Sequence, residues 1–205
     1  LPEGCLDVNS QRLLLHFGAV DQICSVYIGG KFVAYHKGGY LPFTVDITDF
    51  IAEDLTVSIL ISVHDFSDTS YHARGKQQLE RGGMFYTAQS GIWQTVWMEI
   101  VPDKYIKDIR ITPDYDKKKI RMRVRTASAP DQNAITCRIY PPVFLDSRGV
   151  TETLCEDSIQ ESVLAPEKEI SISIPKEYRR DWSPETPWLY PFSLDYGSDR
   201  IFSYF

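Results

Sequence analysis

The sequence predicts an all-β protein of two consecutive β-sandwiches, a jelly-roll followed by an immunoglobulin-like domain, and three observations support this. Nearly every periodic segment is short, rich in β-branched and aromatic residues, and bounded by Gly, Pro, Asp or Ser. The pair Gly29-Gly30 separates two such segments and supplies the positive φ angles that a tight hairpin turn needs. The rhythm of strands restarts after Val101-Pro102-Asp103, so we expect domains at residues 1–101 and 102–205.

The first domain is predicted to hold six strands joined by short turns. They cover residues 11–17, 23–28, 31–36, 43–47, 55–63 and 91–101. The last of them carries bulky residues on both faces, which is typical of a strand buried on both sides or placed at an interface. The stretch GGYLPFTVDITDF (38–50) is expected to be a structural corner, because glycines permit a tight turn and Pro42 makes Leu41 extended. Residues 69–80 are expected to form a long loop.

The second domain is predicted to hold about seven strands. They cover residues 105–112, 119–125, 134–140, 150–155, 169–174, 188–196 and 200–204. That count, with turn residues between the strands, is typical of an immunoglobulin-like sandwich of roughly 100 residues. Several prolines fall between the strands, where a missing N–H does no damage to a sheet.

Composition excludes some classes of partner. The formal net charge is −6 and the pI about 5.2, which argues against a nucleic-acid partner because phosphate binding needs clustered cations. The one basic run, residues 117–125, alternates along a strand and is expected to be a solvated face. No apolar run reaches the roughly 18–20 residues of a membrane helix, so no membrane association is expected. Cytoplasmic, periplasmic and secreted locations all fit this composition.

No pattern in the sequence points to a metal, a cofactor or catalysis. The four cysteines show no Cys-x-x-Cys spacing and are expected to be mostly buried thiols, with a Cys137–Cys155 bridge left open. No two histidines have the close spacing of metal ligands. The acidic residues lie mostly at turns, where they usually cap or solvate the backbone.

Two groups of residues are candidate binding sites. The loop after the predicted fifth strand carries Tyr71, Arg74, Lys76 and Gln77, and such side chains can bind sugar hydroxyls or a carboxylate. The alternative is a loop that packs on a neighbouring domain. The tryptophans Trp93 and Trp97 could form a sugar platform, but packing in the core or at an interface is the better interpretation, with both rings on one face of a strand.

Several ordered motifs resemble glycoside hydrolase family 2, which includes β-galactosidases, β-glucuronidases and β-mannosidases. The motifs are LLLHFGAVD (13–21), VAYHKGG (33–39), PF (42–43), DIT (46–48), RGKQ (74–77), GIWQTVWME (91–99), WSPETPWLY (182–190) and DRI with SYF (199–205). The first five and GIWQTVWME resemble the family's sugar-binding jelly-roll domain. The last two resemble its immunoglobulin-like domain, so the resemblance covers essentially the whole chain in order.

The resemblance also has departures. The family's hairpin usually has Asn-Gly where this chain has Gly29-Gly30, and the family's first sandwich usually begins with a strand that would precede Leu1. The resemblance stops where the family's (β/α)₈ barrel of ~250 residues should begin. Because the family's two catalytic glutamates lie on that barrel, no catalytic residue transfers to this sequence.

The resemblance therefore implies a non-catalytic N-terminal portion of a β-glycosidase. Its partners would be the C-terminal barrel of the same protein, the carbohydrate substrate, and further copies of the subunit. The loop with Arg74 and Gln77 would be the part that reaches toward substrate. The alternative is a free-standing carbohydrate-binding or adhesion module, which should end on polar residues, whereas this chain ends on Ile-Phe-Ser-Tyr-Phe.

Overall fold

The computed structural model describes residues 6–52, 56–127, 134–146, 149–150, 159–164 and 167–205. The chain divides into two compact units, Leu1–Val101 and Pro102–Phe205. Within the described ranges every regular element is a strand except two short 3₁₀ turns, Thr48–Phe50 and Lys176–Tyr178. The all-β prediction is confirmed. No helix in that part of the chain is long and apolar enough to cross a membrane.

The described residues of the first unit form ten strands, several of them only two residues long. They are β1 (Gln11–Phe17), β2 (Val20–Asp21), β3 (Ile23–Ile28), β4 (Lys31–Lys37), β5 (Phe43–Asp46), β6 (Ile59–His64), β7 (Gln77–Gln78), β8 (Tyr86–Thr87), β9 (Gly91–Ile92) and β10 (Val96–Pro102). Two three-stranded sheets, ordered β10-β1-β5 and β4-β3-β6, form its main layers. Two small pairings, antiparallel β2-β9 and parallel β7-β8, hold the loops at the candidate site described below.

Alternating side chains of β3 and a run of buried leucines in β1 build the core of the first unit. Along β3, the side chains of Cys24, Val26 and Ile28 are fully buried while the residues between them are only half-buried. Strand β1 supplies further fully buried side chains, among them Leu13 and Phe17. Because side chains alternate with period two, a slip of one residue would turn this apolar set to solvent.

The hairpin between β3 and β4 has the geometry that the sequence predicts. Gly29 and Gly30 have φ angles of 55° and 77°, the left-handed region that glycine enters without a steric penalty. The strands on either side pair from Ile28 with Lys31 back to Ile23 with Lys37, with one bulge.

The prediction of a single strand over residues 91–101 is wrong. The segment forms two strands, β9 and β10, separated at Trp93–Thr95. The backbone passes close to Gly18, whose N–H donates to the carbonyl of Thr95 at 2.9 Å. A Cβ on Gly18 would lie 2.7 Å from the Cβ of Gln94, so this close approach requires glycine and bends the segment away from a continuous ladder.

In the part of the second unit that the structure describes there are nine strands. They are β11 (Ile106–Asp114), β12 (Lys119–Thr126), β13 (Ala134–Ile139), β14 (Leu145–Asp146), β15 (Gly149–Val150), β16 (Ile159–Leu164), β17 (Glu167–Ser173), β18 (Pro191–Tyr196) and β19 (Asp199–Tyr204). The main sheets have the orders β11-β12-β17 and β16-β13-β18-β19, all antiparallel, and β14 pairs with β15. Most of the strand predicted at 150–155 lies outside the described residues.

The core of the second unit lies between its two main sheets. Strand β12 turns Ile120, Met122 and Val124 inward, and the charged residues between them stay exposed. Across the core, the Cys137 thiol lies 3.6 Å from the sulfur of Met122. Cys24 and Cys137 are both buried. Cys5 and Cys155 lie outside the described residues, so the Cys137–Cys155 bridge that the sequence leaves open is not tested.

Candidate functional site

A cleft of about 440 Å³ opens among the loops of the first unit. It lies where the short pairings β2-β9 and β7-β8 bring together segments that are distant in sequence. Its lining is formed by Asp21, Tyr40, Gly75, Gln77, Gln89, Ser90, Gly91, Ile92 and Trp93. The lining combines rings, amides, a hydroxyl and one carboxyl group.

The two-residue ladder β2-β9 places the first wall of the cleft. Asp21 pairs with Gly91, and Val20 pairs with Ile92. Gly91 has a φ of 101°, which glycine adopts much more readily than other residues. The chain can therefore turn directly from the cleft wall into the ladder that holds Asp21.

Two aromatic rings and Ile92 form the apolar part of the lining. The indole N–H of Trp93 donates to the carbonyl of Gly39 at 2.7 Å, which fixes the direction of the ring. Tyr40 meets Trp93 edge to face, with ring centroids 5.5 Å apart. Both side chains are about half-exposed, so each ring offers surface to a ligand while its position is fixed.

The amide side of the cleft is held by hydrogen bonds between loops. The side-chain oxygen of Gln77 accepts the backbone N–H of Gln89 at 3.0 Å, which ties β7 to the segment before β9. The Ser90 hydroxyl donates to the carboxylate of Asp65 at 2.6 Å. These bonds set the amide and hydroxyl groups beside the two rings.

Asp21, Asp65 and His72 are buried polar side chains that interact through their charges. Asp21 is 9% exposed, and the side chain of Asp65 is 1% exposed. Burial raises the pKa of Asp21, the charge of Asp65 raises it further, and His72 opposes both effects. Within the described part of the chain the Oδ1 atom of Asp21 has no hydrogen-bond partner, and His72 Nε2 lies 3.8 Å from Asp65, too far for a hydrogen bond.

This arrangement suits a ligand that carries both hydroxyl groups and an apolar face. A flat ring packs on the C–H face of a sugar, while amide groups and a carboxylate exchange hydrogen bonds with its hydroxyls. In the ranges that the structure describes, no group of three His, Cys, Asp or Glu side chains could hold a metal ion. The lining groups named above are those that bind the hydroxyl groups and the apolar face of such a ligand.

Only some of the candidate site residues predicted from the sequence lie at the cleft. Gln77 and Trp93 line the cleft. Tyr71 is 90% exposed, with the ammonium of Lys37 at 5.7 Å from its ring. The guanidinium of Arg74 reaches the carbonyl of Ser70 at 3.5 Å.

The remaining two predicted residues also lie outside the cleft lining. Lys76 is exposed, and its carbonyl accepts the N–H of Tyr86. Trp97 stacks on His16 with ring centroids 4.8 Å apart, on β10 and β1. Since the backbone break falls between Trp93 and Trp97, the expectation that both rings share one face of a single strand does not apply.

Seven of the nine lining residues are not among the candidates that the sequence predicts, and four of these carry polar or aromatic side chains: Asp21, Tyr40, Gln89 and Ser90. Asp21 is one of the acidic residues that the sequence predicts to lie at turns, but it follows Ala19 and Val20, which are fully buried. An acidic residue inside an apolar run is the signal that could have identified it. Tyr40 belongs to the stretch predicted to be a structural corner. In the structure the carbonyl of Gly39 in that stretch accepts the indole N–H of Trp93, and Tyr40 lines the cleft.

Each of the two units matches a known protein-family model. Residues 2–102 match the family model described as "Glycosyl hydrolases family 2, sugar binding domain", and residues 104–203 match "Glycosyl hydrolases family 2". A β-galactosidase of Thermoanaerobacter pseudethanolicus is 30% identical over 192 residues, which cover 91% of this chain and 24% of that protein. A β-galactosidase of Pseudoalteromonas haloplanktis is 28% identical over 211 residues, covering 92% and 18%.

Solved structures share the fold. A β-glucuronidase of Faecalibacterium prausnitzii matches the whole chain and 35% of its own length, with a TM-score of 0.66 and 22% identity. A glycosyl hydrolase family 2 member of Bacteroides cellulosilyticus matches 96% of this chain and 26% of its own, with a TM-score of 0.64 and 15% identity. The chain thus spans about a third or less of the length of these relatives.

Proposed function

This chain belongs to glycoside hydrolase family 2, and from that premise we propose that it serves a longer enzyme that hydrolyses a β-glycosidic bond. The chain consists of the family's sugar-binding domain and the domain that follows it, which are the non-catalytic N-terminal portion. The hydrolysis itself would use two carboxylates on a following barrel, with retention through a covalent glycosyl-enzyme. The β-galactosidases and β-glucuronidases among the relatives suggest a β-galactoside or a β-glucuronide as substrate.

One observation carries this proposal. The two family domains follow one another over nearly the whole chain, and the Thermoanaerobacter β-galactosidase that matches 91% of the chain is about four times as long. The role proposed for the chain is to support the catalytic barrel, to shape one wall of its cleft and to help subunits associate. Among the loop residues predicted to approach substrate, the cleft geometry supports Gln77 most directly.

The test is to determine the reading frame beyond Phe205 and to express the longer protein. We expect a barrel with two glutamates at its strand ends, and hydrolysis of nitrophenyl β-galactoside or β-glucuronide by the longer protein. The 205-residue chain is the matched control and should release no nitrophenol from either. A stop codon directly after Phe205 would overturn the proposal.

The cleft itself favours a second candidate, a free-standing carbohydrate-binding module. Its rings and amides would then bind a glycan for attachment rather than support catalysis. The same reading frame separates the two functions, because a module needs no catalytic barrel after it.

A further inference from the structure

We propose that the cleft beside Trp93 binds a neutral hexose unit and discriminates against uronic acids. This inference rests on the proposed carbohydrate role of the chain and narrows it. The relatives include both β-galactosidases and β-glucuronidases, so family membership leaves the choice between neutral and acidic sugars open at this cleft.

The size and lining of the cleft suit one sugar unit. A volume of about 440 Å³ lies at the smaller end of the usual range for small-ligand sites. The Trp93 ring is about half-exposed and is held by its bond to Gly39, so it can receive the C–H face of a pyranose without reorienting. Gln77 and Gln89 stand on the same lining and can exchange hydrogen bonds with ring hydroxyls.

Asp21 supplies an acceptor that a sugar hydroxyl can satisfy. Its side chain is nine-tenths buried and lines the cleft, and its Oδ1 atom has no hydrogen-bond partner among the described residues. An unsatisfied acceptor in a buried place costs free energy until a donor reaches it. In this structure Oδ1 is closed to solvent beside Gly39, so the side chain has to turn toward the cleft to meet a donor. A sugar hydroxyl can be that donor, whereas the carboxylate of a uronic acid at neutral pH cannot.

The charges at the cleft are the reason for the proposed discrimination against uronic acids. The nine lining residues include no Lys, Arg or His. The side chain of Asp65 is buried, and its charge acts on Asp21. His72 Nε2 lies 3.8 Å from Asp65, and His72 is not one of the lining residues. A uronate placed here would meet acidic groups without a lining cation to compensate, and a like charge with no counter-ion is strongly disfavoured in a desolvated site.

The test follows the indole N–H resonance of Trp93 in the full 205-residue chain by ¹H–¹⁵N NMR at pH 7. Methyl β-galactoside, methyl β-glucoside and methyl β-glucuronide are titrated separately. We expect a neutral glycoside to shift the Trp93 resonance with a millimolar Kd, and the glucuronide to bind at least tenfold more weakly. Trp93→Phe assigns the resonance and should abolish the shift.

Two variants test the roles of the lining groups. Gln77→Ala should weaken neutral-sugar binding severalfold, and Asp21→Asn should reduce the discrimination against the glucuronide. Trp182→Phe, at an exposed tryptophan of the second unit, is the matched control and should change neither value. If Asp21→Asn does not fold, the proposal is still tested by the affinity of Gln77→Ala and by the relative affinities of the native chain for the three glycosides.

Equal or tighter binding of the glucuronide would overturn the proposal, and so would the absence of binding by all three glycosides. A chain that binds no sugar, within a longer protein that does hydrolyse β-glycosides, would overturn this inference alone. Sugar binding as expected, without a catalytic barrel beyond Phe205, would overturn only the proposed parent enzyme.

Discussion

The close approach of Gly39 to Asp21 shows how one backbone position limits the sequence at the cleft. A Cβ built on Gly39 would overlap the Oδ1 atom of Asp21 and lie 2.8 Å from its Cγ. We expect Gly39→Ala to lower the free energy of unfolding by about 1–3 kcal/mol, the usual cost of overpacking, as measured by urea denaturation. Gly82→Ala is the matched control, because nothing lies within 4 Å of a Cβ there. A neutral result at Gly39 would mean that Asp21 has room to move.

The raised pKa of Asp21 makes a second prediction at the residue scale. Burial makes the folded state favour the neutral acid of Asp21, whereas the same group in the unfolded chain ionises near pH 4. The native protein therefore loses stability as the pH rises from about 4 to the raised pKa of Asp21. Asp21→Asn does not ionise and should gain stability relative to the native protein across that window, keeping the gain at pH 7. Urea unfolding at pH 4 and pH 7 measures the difference, with Asp49→Asn, whose side chain is 85% exposed, as the control. A gain that is larger at pH 4 than at pH 7 would contradict the assignment.

At the scale of the elements, alternation could be predicted and backbone crossings could not. Strands β1 and β3 have the predicted bounds because β3 alternates with period two and β1 is a short apolar run that ends at Gly18. The Gly29-Gly30 turn is equally local. The break between β9 and β10 depends on Gly18, more than seventy positions earlier, so no local pattern indicates it. The cleft was only partly predictable for the same reason: Gln77 and Trp93 stand out locally, whereas Asp21 becomes a lining residue only through a long-range pairing.

The sheet of β13, β18 and β19 carries a cross-strand charge group that can be tested. The carboxylate of Asp195 accepts hydrogen bonds from Arg200 and Arg138, and these bonds hold its pKa below the usual value despite the opposing effect of burial. The stabilisation is present above pH ~4 and is lost as pH falls through the lowered pKa.

Asp195→Asn should therefore cost about 1 kcal/mol at pH 7, and the difference from the native protein should shrink in acid. Urea unfolding at pH 7 and at pH 3 gives both values. Asp108→Asn removes a carboxylate paired with Arg125 at a half-exposed site, where little stability is expected. Equal effects of the two substitutions would mean that the Asp195 group adds nothing beyond an ordinary surface pair.

At the scale of the whole molecule, the two hydrophobic cores are drawn from separate parts of the chain. One core cluster and the residues packed on it fall within residues 6–100, and the other cluster falls within residues 106–205. Each cluster contains many fully buried aliphatic side chains, each contributing roughly 1.5–3 kcal/mol of burial free energy. A segment that contains its whole core and all its sheet partners has what a domain needs to fold alone.

We therefore predict that residues 104–205, expressed alone, fold to a cooperative β domain. Its strands β11 to β19 pair only with one another in the described sheets, so the cut after Asp103 removes no ladder of this segment. The measurements are the ¹H–¹⁵N NMR spectrum, which should show dispersed amides, and thermal unfolding, which should be a single transition. Met122→Ala, at a fully buried position, should lower the stability of this fragment by about 2–5 kcal/mol, while Trp182→Phe at the exposed surface should leave it nearly unchanged. An undispersed spectrum of the fragment, beside a folded full chain, would show that the second core depends on the first 103 residues, and the boundary between the proposed domains would then have to be drawn elsewhere.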